Sequence, residues 1–454
     1  MTVLFVERPR PARVRDSAHG WRLAVATVCL GAFTGQLDAS IAVLTYPALE
    51  ARFHASAAAV EWVSLGYLLT LIALLVPAGR LSDTHGRKLL YLYGFLVFTV
   101  ASAACGLAPG LGALVAFRVV QAVGAALMQA NSVALVATSA PRGRMRSALG
   151  VQAGAQALGL ALGPTLGGVI VAQLGWRWVF LVNIPVGLAA LVAGHYFLPR
   201  TRTRAVVGRF DWPGLLLLSL GSTALLLAVS AASGLELPPA AAAALLVLAS
   251  ACAVAFVRRL GSAVSPLIDP ALLRIRRVVF GLIGALGGYL VLFGPLVLVP
   301  DLLTASGTPL ATAGLVLTAL PAGFAAAALA ADRVLPGHWT DRRRALSGAA
   351  LALCALAATV PAPPRAAALV PLLALLGLGL GVFAPANNAL IMSALPRGTE
   401  GTGGGLVNMA RALGTALGVA LVTLSLHQAT HSGAAAFSLL ALAAIAVLVV
   451  TRAR

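Results

Sequence analysis

Gly79-Arg80-Leu81-Ser82-Asp83-Thr84-His85-Gly86-Arg87-Lys88 is a polar decapeptide set between two apolar runs, residues 57–78 and 89–108. Each run has about the 20 residues that an α-helix needs to cross a bilayer core. Lys and Arg concentrate in the cytoplasmic connections of membrane proteins, so the basic decapeptide belongs on the inner side. Outward from it, apolar runs and short polar connections continue to alternate in both directions. Fourteen runs are expected to cross, near residues 22–48, 57–78, 89–108, 111–138, 147–172, 177–198, 213–233, 239–257, 278–303, 310–331, 345–361, 366–390, 402–427 and 432–451. With the N-terminus inside, alternate connections hold 27 of the 32 basic residues, and the outer side holds three, Arg52, Arg177 and Arg365. The remaining two, Arg118 and Arg411, fall inside apolar runs. Both termini are therefore expected in the cytoplasm.

Composition agrees. The chain is 60% hydrophobic and 10% charged, against roughly 25% charged in soluble domains. A net charge of +19 would suit nucleic acid if it were gathered on one domain. Here it is scattered over short loops, where the inside bias accounts for it and anionic lipid headgroups are its natural partner. No nucleic-acid partner is expected. The cysteines, Cys29, Cys105, Cys252 and Cys354, lie in four different runs and read as buried thiols filling helix contacts. No His, Cys or carboxylate cluster has metal or catalytic spacing, and no connection is long enough for a soluble domain. Neither an enzyme nor a cofactor is implied. The polar, basic first twenty residues show no cleavable signal, so the first crossing helix is the expected targeting signal.

The chain also repeats itself. Gly79-Arg80-Leu81-Ser82-Asp83 recurs as Gly337-His338-Trp339-Thr340-Asp341, 258 residues on. Pro141-Arg142-Gly143 recurs as Pro396-Arg397-Gly398, and Gly159 and Gly163 pair with Gly414 and Gly418, all at 255. The expected organisation is a tail over residues 1–20, a six-helix bundle over 21–198, a linker over 199–277 holding two inserted helices, and a second six-helix bundle over 278–451. Two such repeats with a site between them near the midplane form a transporter architecture.

At this point the motifs become specific. The decapeptide resembles the signature loop of the major facilitator superfamily. The fifth run, with Gly159, Gly163-Pro164 and Gly167-Gly168, resembles that superfamily's antiporter motif. Fourteen spans, Leu37-Asp38 in the first, and Trp176-Arg177-Trp178-Val179-Phe180-Leu181-Val182-Asn183-Ile184-Pro185 are similar to the fourteen-helix drug:proton antiporter branch. The resemblance covers nearly the whole chain. It implies an all-α major facilitator fold, two pseudo-symmetric six-helix bundles plus two inserted helices. It further implies proton-coupled efflux of a small amphipathic solute across a bacterial inner membrane. Uptake or metabolite exchange by the same fold, or a membrane sensor that transports nothing, are the alternatives.

Asp38 is the first candidate. An ionised carboxylate at the bilayer centre costs on the order of 3 kcal/mol on insertion scales. Burial disfavours a carboxylate's charged form, and an acid that can lose its charge in one state and regain it in another serves proton coupling. The alternative is a permanent ion pair. The resemblance implies a proton or cation site here, although relatives often carry Asn five residues later, where this chain has Val43. Arg118, in Phe117-Arg118-Val119-Val120-Gln121-Ala122-Val123-Gly124, resembles the fourth-helix motif whose Arg assists proton transfer, with Ala122 in place of the usual Gly. Asp38 is its expected partner. Gln121, Gln129, Asn387, Asn388 and Arg411 are candidate cavity residues. Arg411 could instead snorkel to the inner surface. A cationic solute is allowed by Asp38 but not required.

The remaining motifs are mechanical. Gly79 and Gly86 suit a tight turn and close helix approach. Asp83 can cap a neighbouring helix and pair with Arg87 or Arg142, making the segment Gly79, Arg80, Asp83, Gly86, Arg87 and Lys88 a conformational latch. Asp341 with Arg342, Arg343 and Arg344 reads as a looser second copy. Gly154, Gly159, Gly163, Gly167 and Gly168 form a small-residue face for a seal between the halves, with Pro164 able to bend the helix.

Overall fold

The structure is a computed structural model that describes residues 7, 9–17, 19–201, 210–232, 237–363, 365–428 and 433–453. Arg8, Arg202, Arg204, Arg209 and Arg454 of the basic tally lie outside them. In hydrocarbon each backbone N–H and C=O must be paired within its own segment, which leaves the helix as the solution for an apolar run. The long helices are α1 (Gly20–Ala42), α2 (Ala57–His85), α3 (Arg87–Gly106), α4 (Leu111–Ser139), α5 (Met145–Leu174), α6 (Asn183–Phe197) and α7 (Trp212–Ala232). They continue as α8 (Pro239–Ser262), α9 (Arg276–Ala305), α10 (Ala319–Val334), α11 (Asp341–Thr359), α12 (Ala366–Ala394), α13 (Glu400–Gln428) and α14 (Gly433–Arg452). Short turns at Tyr46–Phe53, Arg177–Leu181 and Leu310–Leu317 extend α1, α6 and α10. Among the described residues 13 spans are long and apolar enough to cross a membrane. The fourteenth, α11, falls short because its first turn holds Asp341, Arg342, Arg343 and Arg344.

Two large apolar cores result. One is built around Tyr67, Tyr91, Phe95 and Phe98 in α1–α6, and Ala389 and Met392 of α12 join it. The other gathers Leu298, Phe324, Phe383 and Phe437 of α9–α14, and Ala153 and Ala157 of α5 join it. The halves therefore meet through α5 against α10 and α12, and through α2 and α4 against α13. The pair α7 and α8 packs mainly on itself and covers the α2–α13 seam from outside.

The decapeptide differs from the expected loop. Helix α2 runs through Gly79 to His85, and Gly86 alone breaks the chain, at φ 117°, before α3 begins. Only glycine adopts that backbone readily. Gly79 serves a separate purpose, since a Cβ there would collide with the Gly401 carbonyl of α13.

The glycine face of α5 also divides differently. Cβ atoms at Gly159, Gly163 and Gly167 would strike Phe33, Ser40 and Ile41 of α1 or Leu44 beyond it, within the same half. Gly150 and Gly154 make the close approach to the other half, against Ala328 and Leu329 of α10. Gly168 belongs to neither face, because a Cβ there meets nothing within 4 Å. The repeat is visible in this packing. Gly414 and Gly418 of α13 press on the Leu286 and Leu290 carbonyls of α9, as Gly159 presses on the Phe33 carbonyl of α1.

Candidate functional site

Asp38 and Arg118 meet. Arg118 Nη1 donates to Asp38 Oδ2 at 2.6 Å, and both side chains are sealed from solvent. The other carboxylate oxygen, Oδ1, accepts from Gln121 Nε2 at 3.0 Å and from Asn183 Nδ2 at 2.8 Å. Arg118 also gives Nη1 to Gln121 Oε1 at 2.6 Å and Nε to the Val63 carbonyl at 3.2 Å. Its guanidinium lies 4.2 Å over the Tyr67 ring and 5.6 Å from that of Phe180. Gln121 reaches on to Ser102 Oγ at 2.8 Å. One acid thus ties together α1, α2, α3, α4 and α6. A buried charge is tolerable only when paired and hydrogen-bonded, and this one is both. The buried Tyr67 hydroxyl has no hydrogen-bond partner.

Gln121 therefore belongs to the charge network rather than to a cavity wall. Asn183 is a member that the residue pattern had not singled out, although it stood in the quoted Trp176–Pro185 stretch. Val43, the position noted for its missing Asn, is exposed and takes no part.

Two sets of charged contacts join the halves at the arginine-rich ends of the helices. Asp83 sits at the N-terminus of α13, where its carboxylate accepts from Gly401 N and Thr402 N, both at 2.7 Å, and from Thr402 Oγ1 at 2.8 Å. This is a helix cap supplied across the seam, favoured by the positive end of the helix dipole. Arg87 pairs with Asp83 at 3.2 Å and bridges to Glu400. The Arg142 side chain lies outside the described residues. Arg80 and Lys88 bond elsewhere, Arg80 to Ser265 Oγ at 3.5 Å and Lys88 Nζ to the His195 carbonyl at 2.7 Å. The second set joins Arg146 of α5 to Asp332 at 2.7 Å and to Asp341 at 2.6 Å, with Arg344 also on Asp332 at 2.9 Å. Asp83 meets residue 401 and Asp341 meets residue 146, which are again 255 apart. Arg146, Asp332 and Asp341 of the second set are about a quarter exposed, whereas Asp83 and Arg87 are buried.

Gln129 of α4 and Asn408 of α13 meet across the seam, whereas Asn387, Asn388 and Arg411 lie among helices of the second half. The Gln129 carbonyl accepts from Asn408 Nδ2 at 2.8 Å, and Asn387 Nδ2 donates to the Gly281 carbonyl at 3.0 Å. Asn388 and Arg411 line a small cavity with Tyr289, Phe324 and Phe383. That space has room for about one water.

Two repeat-related halves of membrane-spanning helices, with an enclosed charge pair in one of them and helix caps across the seam, have the architecture of a membrane transporter. The chain belongs to the Major Facilitator Superfamily, whose family model matches residues 28–419. Among relatives, it is 31% identical to the "Uncharacterized transporter YebQ" of Escherichia coli over 94% of this chain and 93% of that one. It is 30% identical to the "Riboflavin transporter RibZ" of Clostridioides difficile over 88% and 86%. A stretch of 192 residues is 41% identical to the "Tetracenomycin C resistance and export protein" of Streptomyces glaucescens, 42% of this chain and 36% of that protein. The fold matches that of the human organic anion transporter MFSD10, with TM-score 0.70 and 17% identity over 95% of this chain and 99% of that one. It also matches the proton:xylose symporter XylE, with TM-score 0.65 and 14% identity over 94% of each.

Proposed function

We propose that this chain is a proton-driven exporter of small amphipathic solutes in a bacterial inner membrane, with both termini cytoplasmic. The observation that carries the reading is the enclosed Asp38–Arg118 network. A proton on Asp38 removes the charge that holds Arg118, Gln121 and Asn183 in place. Arg118 must then find other acceptors, and five helices share the rearrangement. Coupling that local change to the rocking of one half against the other gives alternating access. A proton entering under a 100 mV potential supplies about 2.3 kcal/mol, to which any pH gradient adds. The resistance and export names of relatives support the outward direction. The cationic option for the solute loses support, because Arg118 already neutralises the Asp38 carboxylate.

Inverted vesicles test the reading. Addition of a transported solute should dissipate an imposed pH gradient in the wild type. Asp38→Asn should abolish that signal while leaving folded protein in the membrane. Normal solute-driven proton release by this variant would remove Asp38 from the mechanism. The likeness to a riboflavin transporter keeps a second reading, movement of a metabolite rather than a toxic solute, within the same test. A non-transporting sensor predicts no gradient collapse by any solute.

A further inference from the structure

Four arginines are buried among the described residues: Arg87, Arg118, Arg344 and Arg411. Three of them hold a carboxylate: Arg87 holds Asp83 and Glu400, Arg118 holds Asp38, and Arg344 holds Asp332. Arg411 holds none among the described residues. Its guanidinium donates Nη1 to Asn408 Oδ1 at a long 3.3 Å and lies 5.1 Å over the Tyr289 ring. Only 4% of the residue is exposed, so it does not snorkel to the surface. A guanidinium carries five N–H donors, and a buried cation without a counter-charge is costly. Asp38, a buried acid of the first half, is already neutralised by Arg118.

The surroundings say more. Arg411 faces the small cavity shared with Tyr289, Phe324 and Asn388. A second cavity shares Tyr289 and Phe324 with it and is lined from the first half by Gln36 and Gln156. Gln156 is 7% exposed, and its Oε1 is buried with no hydrogen-bond partner. Gln156 and Arg411 are also repeat mates, 255 residues apart. An uncompensated cation therefore lines a cavity of the second half, an unused acceptor of the first half lines the neighbouring cavity on the seam, and Tyr289 and Phe324 line both.

We propose that this seam is a binding site for an amphipathic anion, an aromatic carboxylate or phenolate that also carries a hydroxyl or N–H donor. The anionic group takes Arg411. The donor reaches Gln156 Oε1. The apolar body lies against Tyr289 and Phe324 once the halves part. That this ligand is the exported cargo rests on the reading above; the site itself does not.

Equilibrium binding to the purified full chain separates the two. The probes are 6-hydroxy-2-naphthoate, whose hydroxyl lies at the far end of the rings from the carboxylate, 2-naphthoate without the hydroxyl, and ethidium as an aromatic cation. The wild type is expected to bind the hydroxy acid, and Arg411→Gln to weaken it at least tenfold, with Arg411→Lys retaining part of the affinity. Gln156→Leu is expected to weaken the hydroxy acid several-fold and to leave 2-naphthoate unchanged. Ethidium binding should not fall in Arg411→Gln. Failure of the wild type to bind the acid, unchanged acid binding in Arg411→Gln, or equal weakening of acid and cation overturns the proposal. Competition by chloride alone at equal potency would reduce the site to a simple halide trap and overturn the amphipathic ligand. Should Arg411→Gln not fold, Arg411→Lys and Gln156→Leu carry the comparison with the same overturning results. Arg411-dependent acid binding in a protein that moves no solute outward would keep the site and remove the export reading.

Discussion

Asp38 accepts three hydrogen bonds, and Arg118 provides the only formal charge among the donors. Removing that donor should therefore be far worse than removing both partners. Breaking a buried pair by deleting one member costs about 3–5 kcal/mol, because the other charge is left stranded. Arg118→Ala is expected to lower the thermal unfolding temperature in detergent sharply, and Asp38→Ala with Arg118→Ala to recover much of the loss. Arg118→Lys should not substitute, since one ammonium cannot serve Asp38, Gln121 and the Val63 carbonyl while lying flat over Tyr67. No recovery in the double variant would mean that the pair does not act as a unit. Asp38 and Arg118 were legible in the sequence because a charge inside an apolar run is expensive wherever it points. Asn183 was not. An Asn costs less to bury, so nothing in its own span told it apart from Asn387 or Asn388. Its partner lies 145 residues away, and only the packing of α6 on α1 brings them together.

At the level of the helix, spacing was legible and direction was not. The glycines of α5 repeat every four or so residues, which announces a close contact but does not name the neighbour. Gly163 lies against Ser40, while Gly168 faces open space. Gly163→Ala should cost about 1–3 kcal/mol by overpacking, and Ser40→Gly should relieve part of it. Gly168→Ala should be neutral or mildly stabilising, since Ala favours a helix by up to about 1 kcal/mol over Gly. Thermal unfolding of Gly163→Ala, of Gly163→Ala with Ser40→Gly, and of Gly168→Ala distinguishes these outcomes, and equal losses at 163 and 168 would contradict the assigned face. The two sets of charged contacts invite a parallel comparison. Asp83 is buried and caps α13 directly, whereas Asp341 is part-exposed and acts through Arg146. Asp83→Asn should open the arginine-rich end more than Asp341→Asn does. The effect at Asp341 should also shrink at high salt, where exposed pairs are screened. Labelling of Ala153→Cys by an impermeant thiol reagent in inverted vesicles, with the four native cysteines replaced, reads that opening. Faster labelling in Asp341→Asn than in Asp83→Asn would reverse the ranking.

For the whole molecule, rocking requires that every helix on the seam belong to one half or the other. The repeat identified α7 and α8 as inserted, because no counterpart exists at the 255–258 offset. Where they sit was not legible, since their apolar surface is equally suited to lipid. The structure lays α7 across the α2–α13 seam, against Leu65, Leu69 and Ile72 on one side and Met409 and Leu413 on the other. Polar ties among the described residues run to the first half. Ser219 Oγ donates to the Ala73 carbonyl of α2, and Arg80 of α2 reaches Ser265 just beyond α8. Asp211 binds the pair into one piece, accepting from Arg259 Nε at 2.6 Å and Leu267 N at 3.2 Å. Toward α13 the described contacts are apolar only. Hydrogen bonds fix a register, while apolar surfaces of similar shape can slide at smaller cost in lipid. The inserted pair is therefore expected to ride with the first half and to sweep across α13 as the seam opens. Cysteines at Ser219 and Ala73, joined by a short bifunctional reagent in a background without the native cysteines, should leave transport largely intact. Cysteines at Leu227 and Leu413 joined in the same way should arrest it, and reduction of a cleavable linker should restore it. Arrest by the first tether and freedom under the second would assign the pair to the other half. Freedom under both would mean that the two halves do not move past each other at this seam.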